Sequence, residues 1–330
     1  MRPKKNRSTV SWILVQILIL TFASGYASFA AEDPAKFPTK PIKLIIPYAP
    51  GGTSDLVGRK LAELASIPLG QPIVSENKAG GAGVIGSTVT AKAEPDGYTL
   101  LVTSCSPNIY VPLQRSVPYE QEDFTYIIQT ADFSFIFAVR ADSEYKSFKD
   151  FVEGARKNPG KLNYQSQGPK SAGHVQMAYI FNTEKVKVNH IPGEGVSEVI
   201  RQLLGGHVDA GITAGLGPQI KAGAFRGLAV AGPKRNELFP DIPTFYELGY
   251  SHGIPFGCHV GILGPKDMPP AVTKKLHDAF KKAVDDPSYK ELLMTMYEIH
   301  AYRDTKSYGE VVVQDYKKVA DAMKDLDLAK

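Results

Sequence analysis

Ser171 and His174 stand three residues apart with Ser166 close before them, a set that could pair a hydroxyl nucleophile with an imidazole base. A serine hydrolase would carry its nucleophile on a GxSxG elbow, and Pro169 occupies the position of the first glycine. Two other readings stay open: Ser171 caps the helix that carries His174, or one or both groups touch a ligand. The other histidines, His190, His207, His252, His259, His277 and His300, form no HxxxH, HExxH or Cys/His cluster, so no metal is expected.

Two glycine-rich stretches invite a nucleotide reading and do not support it. Gly81 to Gly86 is a literal GxGxxG, but its strand ends several residues earlier and no acid stands about 20 residues on. It reads better as a helix N-terminus facing a cleft. Gly51-Gly52 lacks the GK[ST] of a phosphate loop. What the stretch from Pro41 to Asp55 does offer is an anion site. Ile42, Leu44, Ile45 and Ile46 form a buried parallel strand ended by Pro47, the glycines allow a tight turn, and Thr53 or Ser54 caps a helix from about Leu56 to Ser66. The unpaired N–H groups of that helix's first turn then favour an anion without any lysine. An ordinary strand-to-helix connection is the alternative. Asp55 orients the loop through local amides, contacts the ligand directly or complements the helix dipole, and Tyr48 forms a cleft wall or packs in the core.

The elements that must position these groups alternate between strand and helix, which argues for an α/β architecture with parallel sheets. Strands are expected at Ile73–Ser75 and Tyr98–Thr103, at Ile127–Ile128 and at Phe135–Val139, with helices at Val84–Ala93 and Phe148–Lys157. After the stop at Asn158-Pro159-Gly160 the pattern restarts. Strands at Leu162–Gln165, Val186–Ile191, Ala210–Thr213 and Gly227–Val230 alternate with helices near Ala172–Phe181 and Val196–Leu204. Two similar lobes follow from this repeat of the pattern. Three helical segments, Pro269–Ala283, Pro287–Met296 and Ser307–Lys324, then pack to close the first lobe.

The amino terminus reads as a secretory signal. Arg2, Lys4, Lys5 and Arg7 precede an apolar run from Trp12 to Phe22, and Ser28-Phe29-Ala30 supplies small residues for cleavage after Ala30. The run is too short to span a membrane, which needs roughly 20 residues. Removing the leader takes four basic residues and no acid, leaving 34 basic side chains against 34 acidic ones. Nucleic-acid binding thereby loses its electrostatic support. The remaining 300 residues suffice for two cored lobes. Neither cysteine, Cys105 nor Cys258, lies at the leader junction for lipid attachment, and whether the two pair is open.

An ordered set of motifs resembles the Bug family, the extracytoplasmic solute-binding receptors of tripartite tricarboxylate transporters. The set comprises YAPGGTSD at Tyr48–Asp55, ENKAGGAGVIG at Glu76–Gly86, EPDGYTLL at Glu94–Leu101, QGPKSAGH at Gln167–His174, QLLGGHVDAGI at Gln202–Ile212, IKAGAFRGLAV at Ile220–Val230 and FPDIPTFYELGY at Phe239–Tyr250. The resemblance implies a two-lobed periplasmic binding protein of the Venus-flytrap, type II-like kind, with parallel-rich sheets flanked by helices. Residues 31–132 with 258–330 would form lobe 1 and 133–257 lobe 2, the chain crossing near Asp132 and returning near Gly257. It further implies a monomer without cofactor or enzymatic activity, closing on a small organic acid and presenting it to membrane transporter subunits.

The site so implied comprises Tyr48, Gly51, Gly52, Thr53, Ser54 and Asp55 on the first loop, whose amides and a bridging water hold the carboxylate. Ser104 and Asn108 follow the third strand, and Ser166, Ser171 and His174 lie in the second lobe. Glu194 and Gly195 complete it in the Gly193–Ser197 turn. The family commonly places an aromatic residue after its His-x-Pro step, whereas this chain reads His190-Ile191-Pro192-Gly193-Glu194. If Glu194 faces the cleft it repels a second carboxylate and suits an amine, a hydroxyl or a cation. The alternative functions are a receptor acting on a membrane sensor kinase and, with less support, an exported hydrolase using Ser171 and His174.

Overall fold

The computed structural model describes residues 33–232, 234–250 and 258–323, so the leader with its cleavage point at Ala30, His252 and the return near Gly257 lie outside the described residues. Strand β1 (Ile42–Ile46) is apolar and fully buried but for Lys43, as a strand covered on both faces must be. Helix α1 (Thr53–Leu69) returns the chain to β2 (Ile73–Asn77), and α2 (Val84–Ala91) leads to β3 (Thr99–Thr103), both strands pairing parallel to β1. This crossover pattern builds one edge of a six-stranded sheet.

The remaining strands of that sheet alternate in direction. β4 (Phe124–Asp132) leaves the sheet at Asp132, and β10 (His259–Pro265) enters it again at the same end, so β10 lies antiparallel to both β4 and β3. Edge strand β11 (Ile299–Arg303) pairs antiparallel with β4. The spatial order is β11-β4-β10-β3-β1-β2. Between departure and return the chain builds a five-stranded sheet from β5 (Ile136–Arg140), β6 (Asn163–Ser166), β7 (Asn189–Pro192), β8 (Ala210–Thr213) and β9 (Phe225–Val230), in the order β7-β6-β8-β5-β9. β7, β6 and β8 are mutually parallel, while β5 pairs antiparallel with β8 and β9. Both sheets are therefore mixed, with the parallel strands confined to one edge of each.

Helices α3 (Phe148–Lys157), α4 (Ala172–Thr183), α5 (Val196–Leu204) and the short α6 (Gly217–Lys221) belong to the second sheet. α3 starts with a reciprocal capping box: the Asp150 N–H donates to Ser147 Oγ and the Ser147 N–H to Asp150 Oδ2. Phe137, Phe148, Phe151, Phe181 and Phe245 meet in edge-on and stacked pairs at the centre of this half. Helices α7 (Pro270–Asp285), α8 (Pro287–Met296) and α9 (Thr305–Met323) cover the first sheet, α7 against α1 and β4, and α9 against β4.

The sequence expectation differs from this in several places: the strand read at Val186–Ile191 covers Asn189–Pro192, and α6 was not expected. α1 starts at Thr53 and runs to Leu69, because Gly52, in an extended conformation, is the N-cap; neither Thr53 nor Ser54 caps it. β10 and β11 were not expected at all. The buried apolar residues of the two sheets also run together, one cluster joining Ile45 and Ile128 to Phe137 and Ile212.

Candidate functional site

The loop after β1 is held by one carboxylate. Asp55, 4% exposed, accepts from the Gly51 N–H at 3.0 Å through Oδ2, and through Oδ1 from Arg59 Nε at 2.9 Å and Asn77 Nδ2 at 2.8 Å. Asn77 also donates to the Tyr48 carbonyl at 3.0 Å and accepts from Arg59 Nη2 at 2.7 Å. Asp55 thus orients the loop and lies behind it. Gly51 turns at φ +77°, a conformation that costs glycine little. The N–H groups of Asp55 and Leu56 return to the Gly52 carbonyl, so those of Thr53 and Ser54 stand ahead of the first helical bond, at the positive end of a 17-residue helix.

That helix end faces a cavity of about 20 Å³, room for one water-sized group. Tyr48, Gly52, Thr53, Ser54 and Ser104 form its first-sheet wall, and Gln167, Val196 and Ala214 its second-sheet wall. Phe133, Phe135 and Cys258 close the back where the chain passes between sheets. Tyr48 and Gln167 also line an outer cavity of about 250 Å³, with Gly80 to Gly83 on one side and Pro169, Pro192, Gly193 and Glu194 on the other. The Tyr48 hydroxyl lies 3.1 Å from Ser104 Oγ and donates to the Ala82 carbonyl at 3.4 Å. Burial pushes its pKa up, against hydrogen bonds with Ser104, Ser106 and Gln167 that favour the ionised form.

The sequence candidates therefore divide. Tyr48, Gly52, Thr53, Ser54 and Ser104 meet at the inner cavity and Glu194 lies at the outer one. Gly51 and Gly195 sit instead where the two halves touch: a Cβ on Gly51 would lie 3.7 Å from Ser197 Oγ, and one on Gly195 3.9 Å from Ala49. Asn108 is in the π-turn Ser106–Tyr110, buried and off the cavity walls, its backbone carbonyl accepting from Gln121 Nε2. Ser166, Ser171 and His174 form a separate cluster with His190.

In that cluster Ser166 Oγ donates to the Gly168 carbonyl at 3.0 Å and lies 3.2 Å from Ser171 Oγ and 2.8 Å from His190 Nε2. Ser171 is the N-cap residue of α4, yet its side chain makes no capping bond. The imidazoles of His174 and His190 stack at 3.8 Å, and His174 Nδ1 accepts from the Lys170 N–H at 2.8 Å. Burial lowers both pKa values, aided at His174 by the Lys170 charge and at His190 by His174, to about 4 and about 3. The rings are neutral, and both serines are fully buried. This is a packing motif, not an exposed nucleophile and base.

Several contacts tie the halves together. The Ala172 N–H, first in α4, donates to Ser106 Oγ at 3.2 Å, so the helix takes its cap from the other sheet. Gln114 Nε2 donates to the Lys170 carbonyl and Lys170 Nζ to the Gln114 carbonyl, each at 2.9 Å. Glu298, just before β11 and 3% exposed, accepts from the Ser134 and Gly215 N–H groups, both at 2.7 Å. Burial raises its pKa to about 8, although the two amides favour the carboxylate. Ser134 and Gly215 follow Phe133 and Ala214, so Glu298 ties the back of the cavity to its second-sheet wall. Cys105 and Cys258 form a disulfide, with Cα atoms 5.0 Å apart, joining the end of β3 to the chain's return. Beside it, His259 bridges Asp132 at 2.5 Å and Asp315 at 3.1 Å. Burial alone would lower its pKa, but bonds to the two carboxylates and their charges outweigh this and raise it to about 9.

Sequence reasoning missed Phe133, Phe135 and Ala214 as wall residues, and the brace at Glu298, while Val196 lies within the Gly193–Ser197 turn it had placed at the site. Gln167 lay within a quoted motif, and Gly81–Gly83 stands at a cleft as its pattern suggested. Residues 57–328 match the model of a family described as tripartite tricarboxylate transporter family receptor. The chain belongs to this family. Among the receptor's relatives, the "UPF0065 protein in gbd 5′ region" of Cupriavidus necator is 38% identical over 95% of this chain and 96% of that one. A solved structure described as a periplasmic transporter is 32% identical with a TM-score of 0.82, over 88% of this chain and 99% of that one. The periplasmic binding protein BugD is 29% identical with a TM-score of 0.80, over 87% and 98%. The receptor thus has the fold of periplasmic binding proteins and belongs with solute receptors, not enzymes. No helix among its described residues is long and apolar enough to cross a membrane.

Proposed function

We propose that this receptor is exported, loses its leader after Ala30, and as a monomer captures a small organic acid between two lobes, 31–132 with 258–330 and 133–257. The closed form then delivers the acid to the membrane subunits of a tripartite tricarboxylate-type transporter. The observation that carries this reading is the pair of Thr53 and Ser54 N–H groups at the start of α1, opening on a cavity walled by both sheets. A carboxylate there meets backbone donors and a helix dipole, a partly buried arrangement worth up to about 2 kcal/mol. Ser104 adds a hydroxyl beside it, and the Tyr48 hydroxyl can turn to it from the Ala82 carbonyl. Admitting the acid requires the lobes to separate and close again, since the inner cavity accommodates about one water.

Thermal unfolding of the purified receptor with mono-, di- and tricarboxylates tests the proposal. A bound acid at a hundredfold excess over its dissociation constant stabilises by about 2.7 kcal/mol, a readily measured rise in melting temperature. If no acid in the panel raises the melting temperature of ligand-stripped protein, the carboxylate reading fails.

A further inference from the structure

We propose that Glu194 makes the outer cavity select an acid whose far end carries an ammonium or another cation, in preference to a dicarboxylate. The inference rests on the reading above, in which one carboxylate docks at Thr53 and Ser54. Tyr48 and Gln167 line both cavities, so a ligand anchored at the inner one extends past them into the outer one. There Glu194 is the only charged side chain among the described residues lining either cavity, and neither lysine nor arginine is among them.

The neighbouring charges reinforce the point. The Glu194 N–H donates to Glu198 Oε2 at 2.7 Å, which fixes the turn and brings a second carboxylate to the same rim. Two cations near this cavity keep their charge but are held by carbonyls and do not line it: Arg115 Nη2 donates to Gly81 at 3.0 Å, and Lys170 Nζ to Gln114. The opposite wall is Gly80, Gly81, Ala82 and Gly83, which lines the cavity with backbone, the Arg115 guanidinium standing against Gly81 without being a lining side chain. A second carboxylate entering here would approach a like charge without a basic side chain to receive it, whereas an ammonium group would find an acceptor. Glu194 itself is exposed at the rim, so water screens the effect and makes it a preference of moderate size.

The test is titration calorimetry with acids matched in length, 4-aminobutyrate against succinate and 5-aminovalerate against glutarate, together with butyrate and valerate. The wild type should bind the amino acid about tenfold or more tighter than the dicarboxylate of equal length. This ratio should fall to about threefold or less in Glu194→Gln and invert in Glu194→Lys, with melting temperatures showing that both variants fold. A wild type that binds the dicarboxylate as tightly as its amino counterpart overturns the proposal, as does a ratio that both variants leave unchanged. In either case binding of any of these acids leaves the carboxylate reading standing. Failure of all of them overturns the proposal, and the carboxylate reading falls with it when the wider panel of mono-, di- and tricarboxylates gives no thermal response either.

Discussion

The two sides of the cleft solve the same problem with opposite chemistry. On the first side an ionic frame stands behind the wall: Asp55 with Arg59 under the loop, and His259 between Asp132 and Asp315 where the chain departs and returns. On the second side the buried titratable groups are neutral, His174 stacked on His190 among serine hydroxyls. The first wall is largely backbone and small hydroxyls, while the second offers the Gln167 amide and the Glu194 carboxylate. A backbone platform on a charged frame suits the part of a ligand that all carboxylates share. Side chains on a neutral frame can be exchanged singly, and so suit the part that distinguishes one acid from another.

The contrast should appear most strongly in acid. Because His174 and His190 have folded-state pKa values below the ordinary 6.5, the stability they confer is present above pH 6.5 and is lost as pH falls through about 4 and about 3. Allowing for partial solvent access, the loss is on the order of 4 kcal/mol. A His174→Asn, His190→Gln double variant, which keeps polar groups near Nδ1 and Nε2, should flatten this limb when urea midpoints are measured from pH 7 to 3. An unchanged slope would show that the stacked rings do not control it.

Breaking the first frame should cost somewhat less. Asp55→Ala leaves Arg59, Asn77 and the Gly51 amide without their shared acceptor, and should lower stability by about 3 kcal/mol in chemical denaturation. It should also abolish the thermal response to acids, since the loop loses its geometry. A normal response would place the anchoring groups elsewhere. The smallest effect lies in alkali. His259 has its pKa raised to about 9, so its contribution is complete below pH 6.5 and is lost as pH rises through 9. His259→Asn should therefore cost about 2 kcal/mol at pH 6 and little at pH 10, as read from melting curves across that range. Equal cost at both ends would mean packing, not charge, is what the residue supplies.

Much of the frame was legible because local chemistry agreed with it. The bounds of α3, α5 and α8 coincide with the sequence reading: α3 has a capping box before it and Asn158-Pro159-Gly160 after it, and α8 begins at Pro287. β1 could be read from its apolar run alone. β10, with glycine at 261 and 264, and β11, an edge strand with a largely exposed pattern, owe their conformation to pairing with β4, and no local signal announces them. The same holds at the site. The first loop was legible because glycines and a helix start act through nearby backbone. Glu298 was not, since its acceptors' partners, Ser134 and Gly215, lie 164 and 83 residues away. Asp55 allowed three readings, and its bonds to Gly51, Arg59 and Asn77 favour the one in which it orients the loop.

The cap that α4 borrows from Ser106 has a consequence for how occupancy can be watched. If the two sides part as proposed, the first N–H of α4 loses its acceptor. The Ala172 amide would then be a built-in reporter: its protection against deuterium exchange would record how long the cleft stays shut, without any label on the ligand.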